Sequence, residues 1–132
     1  MSEDASILFA NDAFYNAFAS SDMQAMEEIW VRDAQPTCVH PGWLPLVGHR
    51  QVMKSWRDIL EDRNKAEIAC SNARLFHCGD GAYVICHEHL DRSFLIATNI
   101  FVREARAWKI KHHQAGTLLS PSRTAPTSRV LQ

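Results

Sequence analysis

The chain has 132 residues, of which 46% are apolar, and its formal net charge is -1. This length suits one domain that is stable without disulfides or metals, and the apolar fraction excludes a disordered chain. Charges of both signs are scattered along the sequence. Because no basic surface is available to neutralise phosphates, nucleic acid is not an expected partner.

The sequence also predicts the compartment. The N-terminus is acidic, and the apolar run that follows is interrupted at Asn11 and Asp12, so neither a secretory signal nor a membrane anchor is expected. The four cysteines show no C-x-x-C spacing, which favours buried, reduced thiols over a disulfide framework. We therefore expect a soluble, cytoplasmic protein.

Helical periodicity marks three segments in the first half of the chain. Apolar residues at helical spacing predict a first helix over residues 7–18. Ser21 and Gln24 form a capping-box pattern that predicts a second helix to about Trp30. A third helix is predicted over residues 50–62. Before it come two shorter pieces, a strand-like run at residues 37–40 and a Gly/Pro-rich loop at residues 41–48.

From residue 65 the apolar pattern alternates, as in strands. Three turn signals divide this part into four strands at hairpin spacing, which must pair antiparallel because their connections are short. The predicted strands are residues 66–78, 82–90, 94–103 and 107–116. The fold class is therefore α+β, with N-terminal helices packed on an antiparallel sheet. We expect one domain over residues 1–118 and a loose Ser/Pro-rich tail over residues 119–132.

Alternation along the strands also predicts which side chains face the helices. Val84 and Cys86 mark the inner face of their strand, and this face includes Glu88. In the last strand, Trp108 and Ile110 mark the inner face, which then includes His112 and Gln114.

Turn geometry predicts how these strands align. A two-residue turn at Asp91–Arg92 aligns Val84 with Asn99, and a four-residue loop over 104–107 aligns Asn99 with His112. The predicted inner face therefore brings four polar side chains together in an apolar surrounding, namely Glu88, Asn99, His112 and Gln114.

Five motifs accompany this order of elements. They are Val39–Trp43, Gly48, Trp56, Ala97–Phe101 and Trp108–Ala115. Over roughly residues 5–118 the chain resembles the nuclear transport factor 2-like superfamily, and most of all its SnoaL-like branch. The resemblance implies a cone-shaped fold in which a strongly curved sheet and helices enclose an apolar pocket, and it implies dimers through the outer face of the sheet.

The resemblance does not imply one activity. The superfamily includes isomerases, hydrolases, cyclases, non-catalytic binding proteins and oligomerisation domains, so function must be argued from the site. The aspartate base and tyrosine donor of ketosteroid isomerases have no match that the sequence identifies. The aspartate–arginine–aspartate set of limonene epoxide hydrolases is not identifiable either.

The candidate catalytic residues are Glu88 and His112. A carboxylate inside an apolar pocket can act as a general base, and an imidazole can transfer protons near neutral pH. The alternative for each is a purely structural hydrogen bond. His87 and His89 suggest a metal site, but Glu88 points to the opposite face and no third ligand is evident, so no metal is expected.

Further residues are candidates for ligand binding. Asn99 and Gln114 carry amides that can orient a carbonyl or hydroxyl group, or tether the fold. Trp43 and Trp56 can form an apolar wall, although a tryptophan at helical spacing is often simply part of the core. His40 begins the loop, where it either caps the chain or contacts a ligand.

These residues favour binding of a small, largely apolar organic molecule. Acid–base turnover by isomerisation, dehydration or hydrolysis would need no cofactor. The alternative is a non-catalytic domain that serves only dimerisation or association. A cavity with catalytic side chains converging on it would favour the first hypothesis, and a solidly packed core would favour the second.

The outer face of the predicted sheet yields a testable prediction. It carries a contiguous apolar patch of Tyr83, Ile85, Thr98, Ile100 and Val102, and such patches usually mark interfaces. Because a two-fold homodimer is the commonest solution, light scattering at micromolar concentration should report about twice the chain mass. A monomer at that concentration would contradict this prediction.

Overall fold

A computed structural model describes residues 1–119 of the chain. Its elements are α1 (Glu3–Ser20), α2 (Met23–Ile29), β1 (Thr37–Val39), β2 (Leu46–Val47), α3 (His49–Glu61), β3 (Ile68–Cys78), β4 (Gly81–Leu90), β5 (Ser93–Glu104) and β6 (Ala107–Thr117). Three helices pack on one six-stranded sheet in the order β2-β1-β6-β5-β4-β3. The α+β prediction is confirmed. The predicted tail, apart from Leu119, lies outside the described residues.

The two N-terminal helices begin at side-chain caps. Ser2 Oγ accepts a hydrogen bond from the Ala5 N–H (3.1 Å), which starts α1 earlier than the apolar pattern predicts. Asp22, rather than the predicted Ser21, caps α2 through the Ala25 N–H (3.0 Å). Ser21 instead ends α1 in the left-handed conformation, at φ 56°.

The sheet is mixed, whereas the sequence predicted an antiparallel one. Strands β3 to β6 form the predicted antiparallel meander. The short strand β1 pairs antiparallel with β2 and parallel with β6. A long stretch of chain separates β1 from β6, so no tight turn forces them to run in opposite directions. The strand β2 was not predicted, because a two-residue strand leaves no alternation to detect.

Both predicted turn registers are confirmed. Leu90 pairs with Ser93 across the β4–β5 turn, and Arg103 pairs with Trp108 across the β5–β6 turn. Glu104 also pairs with Ala107, so this turn has two residues and not the predicted four. In consequence Val84 lies opposite Asn99, as predicted. The inward orientation of Glu88 and Asn99, both fully buried, is therefore established by turn geometry.

A β-bulge in β6 changes the alignment of its second half. Phe101 pairs with Ile110, but Ile100 pairs with His112, so Lys111 is an extra residue in β6. One extra residue reverses the alternation of every side chain beyond it. Asn99 is therefore aligned with residue 113 instead of 112. The prediction that His112 and Gln114 face inward is wrong.

Helices α1 and α3 cover the inner face of the sheet and form one apolar core with it. Aromatic rings dominate this core. Phe14 makes edge-on contacts with Trp30 and Trp56, and Phe18 contacts Trp56 at 5.0 Å between ring centroids. Beside the loop that follows β1, the core leaves an opening lined by residues of that loop and of β4 and β6.

Candidate functional site

A buried polar network occupies the centre of the inner face. Asn11 and Tyr15, one helical turn apart on α1, point toward the sheet. They meet Glu88 of β4, Asn99 of β5 and His113 of β6. All five side chains are buried. Since buried polar groups must find partners, this set determines how α1 sits on the sheet.

Tyr15 is at the centre of the network. Its Oη donates to Glu88 Oε2 at 2.6 Å. The Asn99 Nδ2 group donates to Tyr15 Oη (3.2 Å) and to Asn11 Oδ1 (2.9 Å). The Cys86 Sγ atom lies 3.3 Å from the same phenol oxygen, and because the phenol proton is directed to the carboxylate, the thiol is the donor in that contact.

These contacts determine the tautomer of His113. Its Nδ1 lies 2.6 Å from Asn99 Oδ1, which can only accept a hydrogen bond. Nδ1 therefore carries the proton, and the Nε2 lone pair is free. Nε2 lies 4.0 Å from Glu88 Oε2, too far for a hydrogen bond. A base and a carboxyl group thus face one another across a short gap.

Burial shifts the pKa of each titratable group in the direction of its neutral form. The pKa of Glu88 rises to about 7 because burial outweighs the opposing hydrogen bond from Tyr15. Burial lowers the pKa of His113 to about 3, with smaller contributions from His40 and His112. The pKa of Tyr15 lies well above its ordinary value, chiefly through burial. At neutral pH His113 is uncharged, so its approach to Glu88 is not an ion pair.

His40 has a fixed tautomer as well. Its Nε2 lies 2.9 Å from Ser55 Oγ, and the Ser55 hydroxyl donates to the Val52 carbonyl at 2.7 Å. The hydroxyl must therefore accept from His40 Nε2–H, which leaves Nδ1 as an acceptor; Cys38 Sγ lies beside the ring, 3.6 Å from Nε2 and 3.9 Å from Nδ1. Burial lowers the pKa of His40 to about 4, so this ring is also neutral at physiological pH.

A pocket of about 270 Å³ opens onto Glu88 and His113. Glu88, His113 and His40 form its floor, and Trp43, 46% exposed, stands at its mouth with its ring 4.8 Å from that of His40. The remaining lining residues are Phe18, Pro41, Ile59, Asp62, Asn64, Lys65, Ala66 and Leu90. A mostly apolar wall around a few polar groups is typical of small-molecule sites.

The structure brings together four of the predicted site residues. Glu88, His40 and Trp43 line the pocket, and Asn99 supports it through His113. Trp56 is buried in the core, in edge-on contact with the His40 ring at 4.8 Å, which matches the alternative of a core tryptophan.

Two predicted site residues lie on the opposite face of the sheet. His112 Nδ1 contacts Thr37 Oγ1 at 2.6 Å, and His112 Nε2 contacts Gln114 Oε1 at 3.1 Å. The bulge at Lys111 places both side chains on the outer face, so His112 has no contact with Glu88 and the proposed Glu88–His112 pair does not exist. His113 occupies the inward position that was predicted for His112.

The sequence did not reveal Asn11, Tyr15 or His113. Asn11 and Tyr15 are four residues apart on an otherwise apolar helix face, a spacing that could have indicated inward polar groups. In β6 the apolar positions change from even numbers, Trp108 and Ile110, to the odd-numbered Ala115. That change of parity is the sequence signature of the bulge.

Comparison with known proteins agrees with this geometry. The SnoaL-like domain family matches residues 7–119. The chain belongs to the SnoaL-like domain family. No curated protein matches its sequence significantly. Within residues 1–119, no helix is both long enough and apolar enough to cross a membrane.

Solved structures extend the comparison. A candidate dehydratase of the NTF2-like family from Streptomyces avermitilis is 29% identical, with a TM-score of 0.80 over 88% of this chain and 96% of that one. A candidate association domain of calcium/calmodulin-dependent protein kinase type II from Thiobacillus denitrificans is also 29% identical, with a TM-score of 0.74. The match covers 83% of this chain and 92% of that one. A ketosteroid isomerase-like protein from Erwinia carotovora shares the fold, with 18% identity and a TM-score of 0.71. The match covers 92% of this chain and 100% of that one.

The raised pKa of Glu88 predicts the pH dependence of stability. Because the pKa rises from 4.5 to about 7 on folding, the stability contributed by the protonated group is complete below about pH 4.5 and is lost as pH rises through 7. Replacing Glu88→Gln removes the charge and keeps an acceptor for Tyr15. At about pH 8 we expect this variant to have the higher free energy of unfolding, by up to roughly 3 kcal/mol.

Urea denaturation followed by circular dichroism at about pH 8 and pH 5 would measure this difference, which should shrink at the lower pH because Glu88 is then mostly protonated. Glu61→Gln, at an exposed carboxylate at the end of α3, is the matched control and should change stability little at either pH. A Glu88→Gln variant that is less stable than the wild type at about pH 8 would contradict the prediction.

Proposed function

We propose that the chain binds a small, largely apolar organic molecule in this pocket and converts it by proton transfer that needs no cofactor. One observation carries the proposal. Glu88, only 2% exposed, lies on the pocket floor with a pKa of about 7, and a general base works best when its pKa is near the operating pH.

The floor residues have distinct roles in the proposal. Glu88 is the catalytic residue that removes a proton from a carbon next to a carbonyl group. Tyr15 is a positioning residue, because its hydrogen bond holds the carboxylate and lowers its pKa. The neutral His113 is too weakly basic to compete for the proton, so its Nε2 serves as an acceptor that orients the substrate.

Two reaction types use the same proton transfer. In an isomerisation, Glu88 takes a proton from one carbon and returns it to another, so that a double bond moves. In a dehydration, Glu88 takes the proton and passes it to the departing hydroxyl group, so that water and a double bond are formed. The Streptomyces avermitilis relative, itself a candidate dehydratase, supports the second type. Hydrolysis would require a positioned water molecule in addition.

An association role is the second candidate, and the Thiobacillus denitrificans relative favours it. The outer face of the sheet, where Ile100 is exposed, suits a homodimer. Dimerisation and turnover use opposite faces of the sheet, so they are compatible. We also propose a cytoplasmic location, because all four cysteines are free thiols, as a reducing compartment would maintain them.

Hydrogen–deuterium exchange would test the proton transfer directly. In heavy water, a panel of small cyclic ketones should exchange the hydrogens next to the carbonyl group when the protein is added. The rate should rise as pH passes about 7, because Glu88 then becomes ionised. Glu88→Gln should reduce it by about 100-fold or more. Tyr15→Phe should move the midpoint of the profile to higher pH, because the hydrogen bond that lowers the Glu88 pKa is lost.

His112→Gln is the matched control. His112 lies on the outer face, so this variant should exchange the ketones at the wild-type rate. Exchange that survives Glu88→Gln would contradict the assignment of the base. Ketones that stabilise the protein against heat but never exchange would contradict turnover and would leave a binding protein.

A further inference from the structure

The hydrogen-bond donors of the residues that form the pocket floor, and of the side chains bonded to them, are used inside the protein, except the Asn11 amide nitrogen, which has no partner within residues 1–119 and does not line the pocket. The phenol of Tyr15 donates to Glu88, and both amide hydrogens of Asn99 are directed to Asn11 and Tyr15. His113 Nδ1–H donates to the Asn99 oxygen. In the same way, His40 donates to Ser55, whose hydroxyl donates to a backbone carbonyl.

What remains free at the floor is a set of acceptors. His113 Nε2 has a lone pair without a donor within residues 1–119, and Glu88 accepts a hydrogen bond through Oε2 only. Since buried polar groups are costly when unpaired, a ligand that fills the pocket must bring donors to this floor. A ligand that carries only acceptors would leave His113 Nε2 unsatisfied.

Charge restricts the ligand further. No cationic side chain lines the floor among the described residues, because both imidazoles are neutral. Lys65 is at the mouth, where its Nζ donates to the Ala19 carbonyl at 3.4 Å and lies over the Phe18 ring. A carboxylate at the floor would therefore meet the charge of ionised Glu88 without a compensating partner.

Shape supplies the last constraint. The pocket, at about 270 Å³, lies near the lower limit for ligand pockets. Its walls are aromatic and aliphatic, with Phe18, Trp43 and Leu90 among them. Flat rings pack well against such walls, in offset or edge-on contact.

We infer that the ligand is a neutral ring compound that carries a hydroxyl group and donates it to His113 Nε2. This inference rests on the proposed function, since it names the class of molecule that the same pocket binds. His113 is thereby a specificity-determining residue. It selects hydroxyl groups over ethers, and the floor, which carries Glu88 and no cationic side chain among the described residues, selects neutral compounds over carboxylates.

Three probes with one ring system test this inference, namely 2-naphthol, 2-methoxynaphthalene and 2-naphthoate. Calorimetry at about pH 8, above the pKa of Glu88, should give 2-naphthol an affinity at least about tenfold higher than either of the others, which corresponds to one lost hydrogen bond. In a nitrogen-15 magnetic-resonance titration, 2-naphthol should shift the His113 Nε2 signal, and 2-methoxynaphthalene should not.

The variant His113→Phe keeps a ring and removes the acceptor. It should bind 2-naphthol and 2-methoxynaphthalene equally well. The comparison of probes on the wild-type protein decides the question even if this variant does not fold. Equal affinity for the naphthol and its methyl ether, tighter binding of the naphthoate, or no shift of His113 with any probe would each overturn the inference.

These measurements involve no turnover, so they separate the two proposals. A preference for the hydroxyl probe without any deuterium exchange would support the ligand class and reject catalysis. Exchange that depends on Glu88, together with equal binding of naphthol and ether, would support catalysis and reject the ligand class.

Discussion

The burial of one carboxyl group constrains the rest of this structure. Transferring Glu88 from water to the inner face of the sheet penalises its charge, and the structure compensates with a single short hydrogen bond from Tyr15. That bond ties α1 to β4, and Asn99 extends the network to β6 through His113. The same burial that costs stability brings the pKa of Glu88 close to 7. A fully compensated carboxylate would stay ionised and would be a weaker base.

The two histidines beside the pocket illustrate how hydrogen bonds decide chemistry. Each ring donates one proton to a protein oxygen and keeps one lone pair. Neither ring carries charge at neutral pH, because burial lowers both pKa values well below the ordinary one. The imidazoles of the floor are therefore directional acceptors, and in the proposed reaction the proton transfer is left to Glu88. This division of roles depends on the orientation of the Asn99 amide.

Much of this arrangement could be predicted from the sequence. Alternation placed Glu88 and Asn99 correctly, and turn geometry aligned Val84 with Asn99, because short hairpin turns leave little freedom of register. His112 was misplaced by a bulge in the middle of β6, where no Gly or Pro marks the irregularity. Its position also coincides with the point where the Val31 N–H donates to the Ile110 carbonyl, a contact between distant segments. Tyr15 was missed because tertiary packing alone brings α1 to Glu88.

Two adjacent histidines follow the bulge, and this duplication bears on how the strand tolerates a shift of register. If the bulge were lost with Lys111 kept, so that Lys111 paired with Ile100, the alternation of β6 would be uninterrupted, and the imidazole now on the outer face would turn inward in place of the other. The floor would thus still receive an imidazole. Stability would be lost at the next inward position of β6, where the amide of Gln114 would enter the space now filled by the buried methyl group of Ala115. In evolutionary terms, the packing around Ala115, and not the supply of an imidazole, makes the bulge difficult to lose.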